Sequence, residues 1–162
     1  GHRTLNLVGP ASSGDAKHVT LDDAAACVSG RPDLAFGCVT IAERHLKKGT
    51  EHLNILRKTR LGARWFISQA VYDADATVKL LHDYGDECRR LGIKPVKILL
   101  TFAPCGRPKT MDFIKWLGIQ VPPDVERRVM AKATESKLAA VAESIDVCVE
   151  TLTSILERSA TS

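Results

Sequence analysis

At 162 residues the chain has room for one domain with a real core, and 44% hydrophobic with 26% charged residues excludes a disordered, collagen-like or disulfide-built protein. A net charge of +4 is mild, and with 5% aromatic residues there is no interleaving of basic and aromatic groups of the kind that binds nucleic acid. The five cysteines, Cys27, Cys38, Cys88, Cys105 and Cys148, are odd in number and form no C-x-x-C pair, which predicts reduced thiols and a cytoplasmic protein.

Gly1-His2 reads as the scar of a cleaved tag, residues 3–158 as a single domain and 159–162 as a tail. No stretch approaches the roughly 18 uninterrupted apolar residues that would cross a membrane. Four short apolar runs rich in β-branched or aromatic residues, 4–8, 34–41, 65–71 and 96–102, start about 30 residues apart and predict strands. Helical patterns fall between them at 21–28, 47–61 and 73–91. Strand and helix alternating at that spacing imply βαβ units and a parallel sheet. The strands are nearly continuous in apolar character, so either helices flank both faces of the sheet or the sheet closes on itself.

The punctuation supports this partition. Gly62 follows the second helix, Asp73 and Asp75 open the third, and Leu91-Gly92 ends it before Lys94-Pro95. After residue 102 the pattern changes to a loop, Ala103 to Pro108, then helices over 109–117, 122–131 and 135–156, the last carrying an apolar stripe. Glu126 through Lys132 is locally basic and reads as a solvated helix face. Four parallel strands cannot close a barrel of eight and leave two edges unpaired. The expected fold is α/β, a TIM-barrel-type βα repeat present as a partial barrel of about four parallel strands with flanking helices.

Two strand ends carry side chains able to do chemistry: Thr40, Glu43, Arg44 and His45 in the first, and Ser68, Gln69, Tyr72 and Asp73 in the second. In (β/α) barrels the site lies at these carboxyl ends.

At these positions the chain resembles the methylenetetrahydrofolate reductases. The matching elements are Arg3-Thr-Leu-Asn-Leu-Val-Gly, Val39-Thr-Ile-Ala-Glu-Arg-His, Glu51-His-Leu-Asn-Ile-Leu-Arg-Lys and Phe66-Ile-Ser-Gln-Ala-Val-Tyr-Asp. Thr101-Phe-Ala-Pro-Cys-Gly through Lys115-Trp-Leu-Gly-Ile with Val121-Pro is similar to a bacterial branch with an unusual, flavin-free reductase. The resemblance runs from about Arg3 to Leu156. It implies a (β/α)8 barrel that binds a folate at its C-terminal face and takes hydride from NADH or NADPH, usually through FAD, in one-carbon metabolism and methionine biosynthesis. The elements would correspond to about the fourth to seventh strands of that barrel. The first-strand glutamate that serves the family as general acid would lie outside this chain.

Carried over residue by residue, Gln69 would hold the folate pterin by a two-pronged amide contact, an amide offering a donor and an acceptor side by side. Asn54, Arg57 and Lys58, three and four apart on one helix, would meet the cofactor's phosphates and ribose. Glu43 and His45 would stand around the same cofactor, with Ala42 where the family has an aromatic residue. A plain helix face and a Glu43–Arg44 ion pair are the structural alternatives.

The family's Arg-Gly-Asp, whose aspartate tunes the flavin, reads Val8-Gly9-Pro10 here, which argues against FAD. Ala11-Ser-Ser-Gly14 is either a phosphate cradle or a plain loop. Cys105 lacks a local histidine partner and reads as packing. His18, His52 and His82 have no metal-ligand spacing with one another or with the cysteines, so no metal is expected. A different class of function stays open: a non-catalytic partial barrel that associates with a complementary half or with a second copy. A third reading is an unrelated α/β domain binding a phosphorylated ligand.

Overall fold

The computed structural model describes residues 2–9 and 19–159. The Ala11–Gly14 loop and His18 lie outside the described residues. Four strands, β1 (Thr4–Leu7), β2 (Ala35–Thr40), β3 (Trp65–Ala70) and β4 (Lys97–Thr101), form one parallel sheet in the order β1-β2-β3-β4. Each predicted strand is found, shorter by one or two residues. The register sets Cys38 beside Leu7 and Phe66, and Val39 beside Ile67.

Between the strands run α1 (Leu21–Ser29), α2 (Ala42–Lys48), α3 (Glu51–Arg60) and α4 (Ala74–Leu91). After β4 come α5 (Pro108–Trp116), α6 (Pro123–Glu135) and α7 (Lys137–Ser159). The expected single helix over 47–61 is instead two. Gly49 sits in the left-handed region at φ 66° and ends α2, receiving its cap from the His45 carbonyl. The break lets the chain turn helical already at Ala42, within what read as a polar corner. Asp73 caps α4, its carboxylate accepting from the Ala76 amide at 3.0 Å, as the sequence predicted.

Sequential strand order places each crossover on the same side, whereas an open doubly wound sheet reverses its order. The packing shows this directly. Phe36, Cys38 and Phe66, alternating along their strands, are buried in one cluster with Ile55 and Leu56 of α3 and Ala76, Leu80 and Tyr84 of α4. The alternate residues Val39, Ile67 and Leu99 point to the other face, where Leu99 remains 46% exposed. Helices on both faces, one of the two sequence expectations, are therefore not found among the described residues. The architecture is that of a barrel wall, helices outside and the inner face open.

Residue 37 is glycine because the Trp65 indole lies against the backbone there: a Cβ would come within 2.1 Å of its Nε1. At the C-terminal end, Met111, Ile114 and Ile119 pack with Ala70, Tyr72 and Cys105, seating α5 over the ends of β3 and β4. The Tyr72 hydroxyl donates to the Ala103 carbonyl, and the Cys105 amide donates to Ser144 Oγ, tying that loop to α7. Cys105 is 3% exposed and serves packing. The basic run on α6 is neutralised by ion pairs, Arg128 reaching Glu143 and Glu150 and Lys132 reaching Glu135. No described helix is long and apolar enough to cross a membrane.

Candidate functional site

A cavity of about 280 Å³ opens where β1 and β2 end. Leu7, Val8 and Gly9 form one wall, Val39 and Ile41 the floor, and Glu51, Asn54, Arg57 and Lys58 of α3 the other wall, with Arg44 of α2 at the side. Three of the residues expected to grip a cofactor, Asn54, Arg57 and Lys58, are thus brought together. They share the wall because α3 repeats every 3.6 residues and Ile55 and Leu56 claim its opposite face for the core.

Glu51 organises this wall and was not picked out from the sequence. It is 3% exposed, yet its carboxylate has partners on every side. Oε1 accepts from the Thr40 hydroxyl and the Ile41 amide, both at 3.3 Å, and Oε2 accepts from Asn54 Nδ2 at 3.0 Å. The signal was present as Glu51, Asn54 and Lys58 on one helical stripe. Lys58 donates to the Val39 carbonyl at 2.8 Å, and burial lowers its pKa while the Glu51 carboxylate opposes that shift. Arg57 is half exposed and pairs with Asp22 at 2.6 Å. The lining carries Arg44, Arg57 and Lys58 against Glu51, three cations to one carboxylate, a net +2 suited to an anionic ligand.

Glu43 and His45 do not join this group. In helical geometry successive side chains diverge by about 100°, so Arg44 reaches the cavity while its neighbours turn into the helical layer. Glu43 is 6% exposed and lines a narrow cleft with Thr40, Ser68 and Gln69 beside Thr77 and Leu80 of α4. Burial raises its carboxyl pKa, with Asp73 adding to the effect. Among the described residues no ion pair joins Glu43 to Arg44. His45 is fully buried, with Nε2 2.7 Å from Asp83 Oδ2 on α4.

Gln69 ends β3 on the open face of the sheet, and its Nε2 donates to the Leu117 carbonyl at 3.2 Å. The amide therefore holds the C-terminus of α5. The bond uses one of the two Nε2 hydrogens, and a two-pronged contact takes the other together with Oε1. Beside Leu117, Phe113 and Trp116 are stacked with ring centroids 5.8 Å apart and are 55% and 77% exposed. The pair lies on the face of α5 opposite Met111 and Ile114, turned away from the strand ends.

The fold and cleft define an α/β protein, a four-stranded parallel sheet flanked by helices and consistent with part of a barrel, with an electropositive cleft at its strand ends. Comparison with solved structures gives a particular relative: an uncharacterized protein from Clostridium thermocellum described as binding two copies of 5-methyl-5,6,7,8-tetrahydrofolic acid. The two chains superpose with a TM-score of 0.76 and 36% sequence identity, covering 94% of this chain and 52% of the other. The chain therefore spans about half the length of that relative. No family model and no curated protein matches the sequence.

Proposed function

We propose that this chain is the folate-binding wall of a (β/α) barrel and that its ligand is a reduced folate of the 5-methyltetrahydrofolate type. The observation that carries this reading is the 36% identity across 94% of the chain to a protein described as binding that compound. The electropositive strand-end cleft and the Gln69 amide supply chemistry that suits it, cations for an anionic tail and an amide for the pterin edge.

The finer reading is a reductase of the methylenetetrahydrofolate type. Hydride passes from NADH or NADPH to the methylene carbon of 5,10-methylenetetrahydrofolate, a proton is taken up as the C–N bond to that carbon opens, and 5-methyltetrahydrofolate and oxidised nicotinamide leave. The relative's ligand has the chemistry of that product. In this reading Arg44, Arg57 and Lys58 hold nicotinamide-nucleotide phosphates, Asn54 a ribose, and Glu51 fixes the wall. Val8-Gly9-Pro10 lacks an acid to tune a flavin, which counts against FAD. The proton donor stands on strands that complete the barrel.

Nicotinamide oxidation upon mixing the chain and the remainder of the barrel with NADH or NADPH and 5,10-methylenetetrahydrofolate, with no flavin bands in the absorbance spectrum, is the expected result. Folate binding with no nicotinamide oxidation, even with the remainder of the barrel supplied, would leave a non-catalytic binder. The exposed Leu99 and the uncovered inner face favour that second reading's central feature, association with a complementary half or a second copy. Light scattering showing a well-behaved monomer would count against it.

A further inference from the structure

We propose that His45, His52 and Asp83 form a binding site for a divalent transition-metal ion of the zinc type, built in the helical layer and separate from the strand-end cleft. One donor atom from each of the three side chains lies within 4.8 Å of the others. They come from three helices: His45 from α2, His52 from the first turn of α3 and Asp83 from α4. The two imidazoles meet edge to face, centroids 5.0 Å apart and planes at 84°.

The hydrogen-bond accounting points to a missing partner. A neutral imidazole has one donor and one acceptor nitrogen, and buried polar atoms nearly always find partners. His45 is 0% exposed and spends Nε2 on Asp83, while its Nδ1 is buried with no partner. His52 Nδ1 is likewise buried and unpartnered, and one ring nitrogen of His52 lies within 4.8 Å of the same carboxylate. A structural His–Asp bond accounts for His45 and Asp83 and leaves His52 without a role. A cation taking one nitrogen of each ring and the carboxylate gives the three side chains a common partner.

The donor set selects the ion. Two imidazole nitrogens and one carboxylate oxygen suit zinc, cobalt or nickel and not the all-oxygen preference of calcium or magnesium. Tetrahedral bonds of about 2.0–2.1 Å place donors roughly 3.3 Å apart. The 2.7 Å His45–Asp83 distance must open slightly and the longest separation, up to 4.8 Å, must close by about 1.5 Å or less. The competing group is Lys79, whose ammonium lies 2.8 Å from Asp83 Oδ2 and, being half exposed, can swing to solvent. Water completes the coordination.

Calorimetric titration of Zn²⁺ into the chelator-treated full chain tests this, with Co²⁺ as a spectroscopic probe. One equivalent of Zn²⁺ per chain, visible d–d bands of low-symmetry Co²⁺ and a raised melting temperature are expected. His52→Ala and Asp83→Asn should each weaken Zn²⁺ at least about tenfold, and Lys79→Ala, which removes the competitor, should strengthen it. His52 is only partly buried, so its variant keeps the test usable if a change at buried His45 fails to fold. Absence of stoichiometric Zn²⁺ binding, or equal affinity in wild type, His52→Ala and Asp83→Asn, would overturn the proposal.

Discussion

The ammonium of Lys58 donates to the main-chain carbonyl of Val39 at 2.8 Å, joining α3 to the last turn of β2 at the floor of the cleft. That bond gives Lys58 a structural duty besides its charge, whereas Arg57, one residue earlier, is half exposed and paired only with Asp22. The two cations should separate in experiment. Lys58→Met leaves the Val39 carbonyl without this donor and should cost about 1–2 kcal/mol in urea unfolding. Arg57→Ala should change stability by no more than about 0.5 kcal/mol. Both should weaken NADH binding, measured by nucleotide fluorescence, if the cleft takes nucleotide phosphates.

Glu51 should be the most sensitive position of the cleft wall. Glu51→Ala leaves the Thr40 hydroxyl, the Ile41 amide and the Asn54 amide without their acceptor, and should cost about 2–4 kcal/mol by chemical denaturation. Glu51→Gln keeps one acceptor oxygen and the shape, and should cost less than half as much.

Glu43 should give stability a pH dependence of defined sign. Its folded pKa is raised above the ordinary value of 4.5 by burial, so the folded state holds its proton longer than the unfolded chain does. Its contribution is fully present below about 4.5 and is lost as pH rises through the higher folded pKa. Glu43→Gln should therefore be more stable than wild type near neutral pH, with the difference shrinking toward pH 4. Paired denaturation curves across that range check it, and a difference that grows on acidification would contradict it.

Much of this was legible in the chain itself. Four apolar runs about 30 residues apart specified the strands and a parallel sheet, because burial against helices demands continuous apolar character and crossovers demand that spacing. The Asn54, Arg57 and Lys58 stripe was legible for the same periodic reason. What failed was local winding. The corner at residues 42–48 has no turn residue before Gly49, so it winds into α2 and carries Glu43 and His45 away from Arg44. Pairings across elements were also hidden: nothing in the spacing of His45, His52 and Asp83 announces that three helices bring them together, and Glu51 looked like one more charge at a helix start.

Gly37 should reject any side chain. A Cβ there would overlap the Trp65 indole, so Gly37→Ala must push the ring off the sheet, costing about 1–3 kcal/mol. A changed Trp65 fluorescence and near-ultraviolet circular dichroism, with intact far-ultraviolet signal, would accompany the loss.

The central claim, folate recognition at the strand ends, is tested most directly by titrating 5-methyltetrahydrofolate into the chain and into Gln69→Ala while following the fluorescence of its two tryptophans. Saturable quenching in the wild type, with affinity falling about tenfold or more in the variant, is the predicted result. No saturable binding, or the same affinity in both proteins, would contradict it.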